Sequence, residues 1–386
     1  MSNRLQITIA YSSTSNPPYK KPDKWNLAPS TFRSFWMGLP NEELALPATM
    51  KDIAAYLGIS PATVSRAINN TGYVSESLRA KILKAIEDLD YQPNLLARGL
   101  RKRSSSLVGL IVPDLMNAYY TWAAQIIEGL LAAREYRLLL SVHNDDPVSE
   151  LSYLQAMQKQ RVAGVIVSST GKNHDYLEYL LREGIPVVAH IREIRSRSVD
   201  NVIPADVDGA YVAVKHLTDL GHRRIGVVCG PQELSTGRDR LAGYLRAMEG
   251  VGMPVDCSLI KIGAFRRGFG DEATSELLEQ SPRPTAIFTA GGELTAGMLK
   301  ALSERGIRVP EEISVVGYDD PEWFSFWNPP LTTVKMPTEK LSQVTVDLLL
   351  RRMGASQAPH RSTTARIPVS FVVRSSTAPA CERVFS

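Results

Sequence analysis

A chain of 386 residues with 44% hydrophobic and 22% charged side chains has the composition of a globular protein, with room for two or three domains and a sizeable core. Its three cysteines, Cys229, Cys257 and Cys381, are odd in number and lack CxxC spacing, which argues against a disulfide framework or a zinc site. No apolar run approaches the roughly 18 residues of a spanning helix and no secretory signal opens the chain, so a cytoplasmic protein without membrane contact is expected.

The net charge of +4 is unevenly placed. Between Thr49 and Ser105 nine Lys and Arg stand against five Asp and Glu, leaving 35 of each elsewhere. The whole excess therefore falls in one short segment, and a polyanion is its natural partner.

In chain order, residues 1–48 hold Pro, Ser, Lys and scattered aromatics without helical or strand period. They read as a disordered extension or, with Met37 and Met50 as alternative starts, as residues that are not made. From Thr49 a capping box with Asp52 predicts a short helix with Ile53 and Leu57 on one face, ended by Gly58. Ser60 followed by Pro61 starts a second helix, running to about Asn69. Ala54, Ala55 and Ala67 are small enough for the two to cross closely, which makes a helix-turn-helix. A third helix follows "YVSE", with Leu78, Ile82, Ile86 and Leu89 on its buried side, and Pro93 breaks it. The stretch "NLLARGLR" is weakly helical because of Gly99, and with the bases that follow it is suited to folding on its target.

Beyond Leu107 short apolar runs alternate with stretches of helical spacing: "LVGLIVP", "RLLLSVHN", "VAGVIVSS" and "IPVVAH", then "RRIGVVCG", "LIKIG", "PTAIFTAG" and "ISVVGYDD". Near-continuous apolar strands predict parallel sheets covered on both faces. Eight or more over some 270 residues predict two doubly wound α/β subdomains, with a ligand site at the strand ends in the cleft between them. The expected organisation is thus an extension at 1–48, an all-α helix-turn-helix headpiece at 49–94, a hinge at 95–106, a two-lobed core at 107–379 and a tail at 380–386.

The blocks "KDIAAYLGISPATVSRAIN", "YVSESLRAKILKAIEDLDYQPN", "ARGLR", "VGLIVPDLMNAYY", "DLGHRRIGVVCGP", "LSTGRDRLAGY", "RVPEEISVVGYDD", "PPLTTVKMP" and "VVRSST" together resemble the lactose/galactose-repressor family of bacterial transcription regulators, over residues 49 to about 379. The resemblance implies a homodimer reading an inverted-repeat DNA operator, a periplasmic-binding-protein-like core that senses a small-molecule effector, and no cofactor or metal. By position it implies that Pro61, Ala62 and Arg66 read bases, while Thr49, Ser60, Thr63, Ser65, Asn69, Tyr91, Asn94 and Ala97 contact DNA around them. Leu100 matches the hinge leucine that wedges between base steps. The tail is too short for a tetramerising heptad helix.

In the core the resemblance assigns Asn117, Tyr119 and Tyr120 to the effector pocket and Arg238 to its effector-binding arginine. The chain departs from the family pattern at three acids: Gly291 and Gly292 precede Glu293 where Asn-Asp is usual, Ile191 stands before Arg192, and Ala264 replaces another acid. With His190, Arg192, Arg238, Arg266 and Arg267 left near the cleft, the expected effector is an anion such as a sugar acid or sugar phosphate. If Glu293 substitutes for the lost aspartate, it is a neutral sugar. The acids of "DDPEW" read as structural. An enzyme is disfavoured, because the histidines lack metal-ligand spacing and neither a nucleotide fingerprint nor a nucleophile elbow occurs. A transported-solute receptor would share the two lobes but requires export and no headpiece.

Overall fold

A computed structural model of the chain describes residues 48–69, 71–89, 91, 105–354 and 361–380. They fall into two compact units, with the division between residues 93 and 94. The expected N-terminal extension, hinge and tail lie outside the described residues except at their borders, Ala48, Ser105, Ser106 and Ala380, and so do Asn94, Ala97 and Leu100.

The first unit contains α1 (Met50–Leu57), α2 (Pro61–Asn69) and α3 (Glu76–Asp88). Asp52 closes the start of α1 by accepting from the Thr49 amide at 2.7 Å and its hydroxyl at 2.6 Å. Gly58 ends α1 at φ +63°, a left-handed conformation that glycine adopts without Cβ strain. Ser60 caps α2 by accepting from the Thr63 amide at 3.1 Å, and Pro61 sits in the first turn, where its missing N–H costs no helical bond. The core gathers Ile53, Ala54, Val64, Ala67, Ile82 and Ala85, with Leu78, Ile86 and Leu89 packed against it. Ala55 is exposed, contrary to its expected place at the helix crossing. It follows Ala54 by one position, about 100° around the helix, which carries it off the packed face.

The second unit begins with β1 (Leu107–Val112), α4 (Ala118–Ala132), β2 (Arg137–Val142), α5 (Pro147–Lys159), β3 (Gly164–Val167), α6 (His174–Arg182), β4 (Val187–His190) and β5 (Asp200–Pro204). Next come α7 (Asp206–Asp219), β6 (Ile225–Cys229), α8 (Ser235–Gly250), β7 (Ile260–Ile262), α9 (Arg267–Leu278), β8 (Ala286–Thr289), α10 (Gly292–Glu304), β9 (Ser314–Tyr318) and β10 (Thr332–Lys335). The unit closes with α11 (Thr338–Gly354), β11 (Thr364–Ile367) and β12 (Ser370–Val372). One sheet has the order β11-β5-β4-β3-β1-β2 and the other β12-β10-β9-β8-β6-β7, so the second lobe repeats the winding of the first.

The chain passes between the lobes three times. Helix α7 leaves the first sheet after β5 and packs on α8 and on β8, β10 and β12, whereas α11 returns to pack on β3, β4 and β5. Finally β11 joins β5 in the first sheet and, two residues later, β12 joins β10 in the second. That last pairing is antiparallel, a departure from the all-parallel expectation. β11 runs parallel to β5 and ends at the cleft, so a chain that enters the second sheet two residues later starts beside the cleft end of β10, Ser370 opposite Lys335, and runs against it. One apolar cluster runs through both lobes, from Val108 and Ile127 to Phe288 and Leu349.

Candidate functional site

In the first unit α2 turns Val64 and Ala67 inward and leaves Pro61, Ala62 and Arg66 exposed. Those three are therefore presented together, and Arg66 brings a guanidinium fork of the kind that reads guanine edges or phosphate. Thr49 and Ser60 are exposed and Thr63 is half-buried, while Ser65 and Tyr91 are buried. Ser65 thus lies on the inward side of the helix and Tyr91 packs within the core cluster, away from the exposed face.

The second unit has its cleft where strands from both lobes end. Asn117 caps α4 by accepting from the Tyr119 amide at 2.9 Å, which fixes the first turn so that Tyr119 and Tyr120 enter the cleft wall. Burial raises the pKa of both phenols, and the two rings meet edge to face with centroids 5.2 Å apart. His190 is not a cleft residue. It is fully buried, with Nε2 2.9 Å from the Tyr119 hydroxyl and Nδ1 2.8 Å from the Thr345 hydroxyl. Burial pushes its pKa down to about 3, so it is a neutral linker between α4 and α11.

Arg192 does line the cleft, and it is already paired. Its Nη1 donates to Asp145 at 2.6 Å, while its buried Nε has no protein partner among the described residues. Arg238, expected at the effector site, pairs instead with Glu193 at 3.2 Å and Asp239 at 2.9 Å. The cleft arginine of that helix is Arg240, two positions on, which is buried, lines the cleft, and donates to Asp206 at 3.0 Å and to the Ala290 carbonyl at 2.9 Å. Its guanidinium lies 3.8 Å over the Tyr318 ring and 5.8 Å from that of Phe265. Burial opposes its charge, but Asp206, Tyr318 and Asp319 outweigh that and raise its pKa.

Asp319, read from sequence as structural, is a cleft residue. Its Oδ2 accepts from the Gly292 amide at 2.9 Å. The group received at the start of α10 is thus the protein's own carboxyl. A Cβ on Gly292 would come 2.8 Å from that oxygen, and one on Gly291 would come 3.0 Å from the Phe265 ring, so the two glycines admit Asp319 and Phe265. Glu293 lines the cleft and pairs with Arg267 at 3.3 Å. Acids thus reach the cleft from other loops, Asp145 after β2 and Asp319 after β9. Ile191 and Asp319, at the ends of the equivalent strands β4 and β9, hold φ of +72° and +68°. For residues with a Cβ this is strained backbone, of order 1–3 kcal/mol each, and such strain concentrates at functional sites.

Among the described residues no group of three or more His, Cys, Asp or Glu could hold a metal, and no helix is long and apolar enough to cross a membrane.

A helix-turn-helix unit and a two-lobed unit with a polar, arginine-lined cleft define a ligand-responsive DNA-binding regulator. Residues 49–94 match the model of bacterial regulatory proteins of the lacI family, and residues 214–377 match a periplasmic binding protein-like domain. The chain is 34% identical over 307 residues to the HTH-type transcriptional repressor PurR of Haemophilus influenzae, covering 79% of this chain and 91% of that protein. It belongs to the lacI family of transcriptional regulators and is not an enzyme. Among solved structures it resembles the lac repressor dimer bound to operator and the anti-inducer ONPF, with TM-score 0.75 and 28% identity over 86% of this chain and all of that one. It also resembles the CelR–cellobiose complex, with TM-score 0.65 and 28% identity over 85% and 99% of the two chains.

Proposed function

We propose that the protein is a repressor that binds an inverted-repeat operator as a homodimer and responds to a neutral, polyhydroxylated effector of carbohydrate type. The observation that carries the effector class is the pairing of the cleft cations: Arg192 with Asp145 and Arg240 with Asp206. An anionic ligand entering there meets Asp145, Glu293 and Asp319, with no uncompensated arginine in the inner wall to receive it. Hydroxyls, which donate and accept, suit a wall that alternates carboxylates with guanidinium N–H groups. This reverses the anion expected from sequence, which counted the arginines without their partners. The exposed face of α2 is the proposed DNA reader, with Arg66 making the polar base contact and Pro61 and Ala62 offering apolar contact to thymine methyls.

Calorimetry with matched pairs, a hexose against its uronic acid and its phosphate, tests the effector class. The neutral member is expected to bind more tightly, and preference for a charged member would refute the assignment. A gel shift on DNA upstream of the protein's own gene tests operator binding. Affinity should fall steeply with salt, the log-log slope losing about 0.9 for each phosphate contact removed. Arg66→Ala should relax specificity at one base position.

A further inference from the structure

Outside residues 49–105 the chain carries 35 bases and 35 acids, but these cancel only in total. The two lobes repeat one winding, and each has four helix-to-strand connections at the starts of its strands, opposite the cleft. Taken from the last helical residue to the first strand residue, those of the first lobe hold Arg134, Arg137, Lys159, Arg161, Arg182 and Arg361 against Glu135 and Glu183. Those of the second lobe hold five arginines, among them Arg224 and Arg308, against six acids. All six first-lobe bases are exposed, and only Arg134 has an ion pair among the described residues, a loose one to Asp347 at 3.9 Å. In the second lobe Arg224 is tied to Asp256 at 2.6 Å and Arg308 to Glu312 at 3.5 Å. Cations do complement the carbonyl end of a helix dipole. Four helices end this way in each lobe, however, so the dipole does not account for the difference.

Strand register gathers the first-lobe bases along one sheet edge. Arg137 stands opposite Leu107, the first residue of β1, with Gly164 opposite Val108, Val187 opposite Val165 and Thr364 opposite Asn201. The chain arriving from the headpiece enters between two of these bases. Ser105 donates from its amide and hydroxyl to the Arg161 carbonyl at 3.2 and 2.9 Å, and the Ser106 carbonyl accepts from the Arg137 amide at 2.8 Å. Among the described residues no large apolar side chain is exposed in these connections, so a protein partner would find no anchor. Unpaired cations spread along an edge suit a polyanion whose charges repeat along a line, and a DNA duplex carries one every ~1.7 Å.

We infer that this end of the first lobe is a second DNA-contacting surface, which meets phosphates of the duplex that the headpiece holds. The inference rests on the operator-binding reading above. Covalent tethering raises the local concentration of that duplex at the core, so weak contacts count. They carry no base sequence.

The test is fluorescence anisotropy on the full chain across a salt series, with a labelled duplex from upstream of the protein's own gene and a scrambled duplex of equal length. Arg137→Gln/Arg161→Gln/Arg182→Gln should bind both duplexes about tenfold more weakly at 0.1 M salt, with a log-log slope flatter by about 0.9 for each arginine that meets a phosphate. Lysine at the same three positions should restore most of the affinity, because either cation neutralises a phosphate. An equal charge change in the second lobe, Arg283→Gln/Arg305→Gln/Arg308→Gln, should stay within about twofold of wild type, since screening ends such effects within about 10 Å. An unchanged slope in the first-lobe glutamine variant would overturn the inference and leave the basic edge to an acidic protein. Equal losses in both glutamine variants would do the same, because net charge alone would then be acting. So would a lysine variant as weak as the first-lobe glutamine one, which would mark the loss as structural. If the wild type binds neither duplex, the operator reading falls and this inference with it.

Discussion

Arg238 and Arg240 stand two positions apart in α8, and that spacing sends them about 200° apart around the helix. The buried positions Thr236, Arg240, Gly243, Tyr244 and Ala247 follow the i, i+4, i+7, i+8, i+11 pattern of one face. The pattern was available in "LSTGRDRLAGY" and selects Arg240, whereas matching the motif by type alone selected its neighbour. Arg240→Ala leaves buried Asp206 with the Tyr318 hydroxyl but without its cation and should cost about 3–5 kcal/mol, while Arg238→Ala should stay within about 0.5 kcal/mol. Urea denaturation of the two variants separates them, and equal losses would contradict the assignment. A pH effect belongs to His190. Its native pKa of about 3 lies below the ordinary 6.5, so between those values the unfolded chain takes up a proton that the native protein refuses. Stability from this residue is full above pH 6.5 and is lost as pH falls towards 3, at up to about 1.4 kcal/mol per pH unit. His190→Gln should flatten that part of the stability–pH curve relative to wild type, and an unchanged slope would show the imidazole to be solvated.

Elements were legible in proportion to their apolar content. All eight apolar runs became strands: six are covered on both faces and must be apolar throughout, and β2 and β7 are sheet edges that keep the same composition. The four that went unread are weaker signals for identifiable reasons: β5 begins Asp-Asn and ends in proline, β10 starts with two threonines, and β11 and β12 are half-buried sheet edges. The cleft loops were harder still. Asp145 and Asp319 reach the site through backbone turns with positive φ, and no side-chain period in the sequence announces such a turn. In the headpiece the punctuation was explicit, and Gly58 makes it testable. A Cβ there would meet nothing within 4 Å, so Gly58→Ala isolates the backbone term, a loss of about 1 kcal/mol from the left-handed conformation. Thermal unfolding of the headpiece should report that loss, and a neutral effect would mean that the turn relaxes to another conformation.

At the scale of the whole chain the apolar clusters divide cleanly. The headpiece cluster draws only on residues from Ala48 to Tyr91, while the largest cluster of the second unit takes buried side chains from both of its lobes. Helices α7 and α11 are the reason, since each follows a strand of one sheet and packs on the other. The lobes should therefore unfold as one cooperative body, with the headpiece as a separate transition. An effector that binds only the folded cleft stabilises that body by mass action, by about 2.7 kcal/mol at a hundredfold excess over Kd. Operator DNA, held by the headpiece, should act first on the other transition. Scanning calorimetry can follow both in one sample: the core transition is expected to rise with effector while that of the headpiece stays in place. Three transitions in the free protein would show that the shared core does not bind the lobes into one unit. A headpiece transition that rises with effector in the absence of DNA would show that the two units are energetically coupled through the segment that joins them.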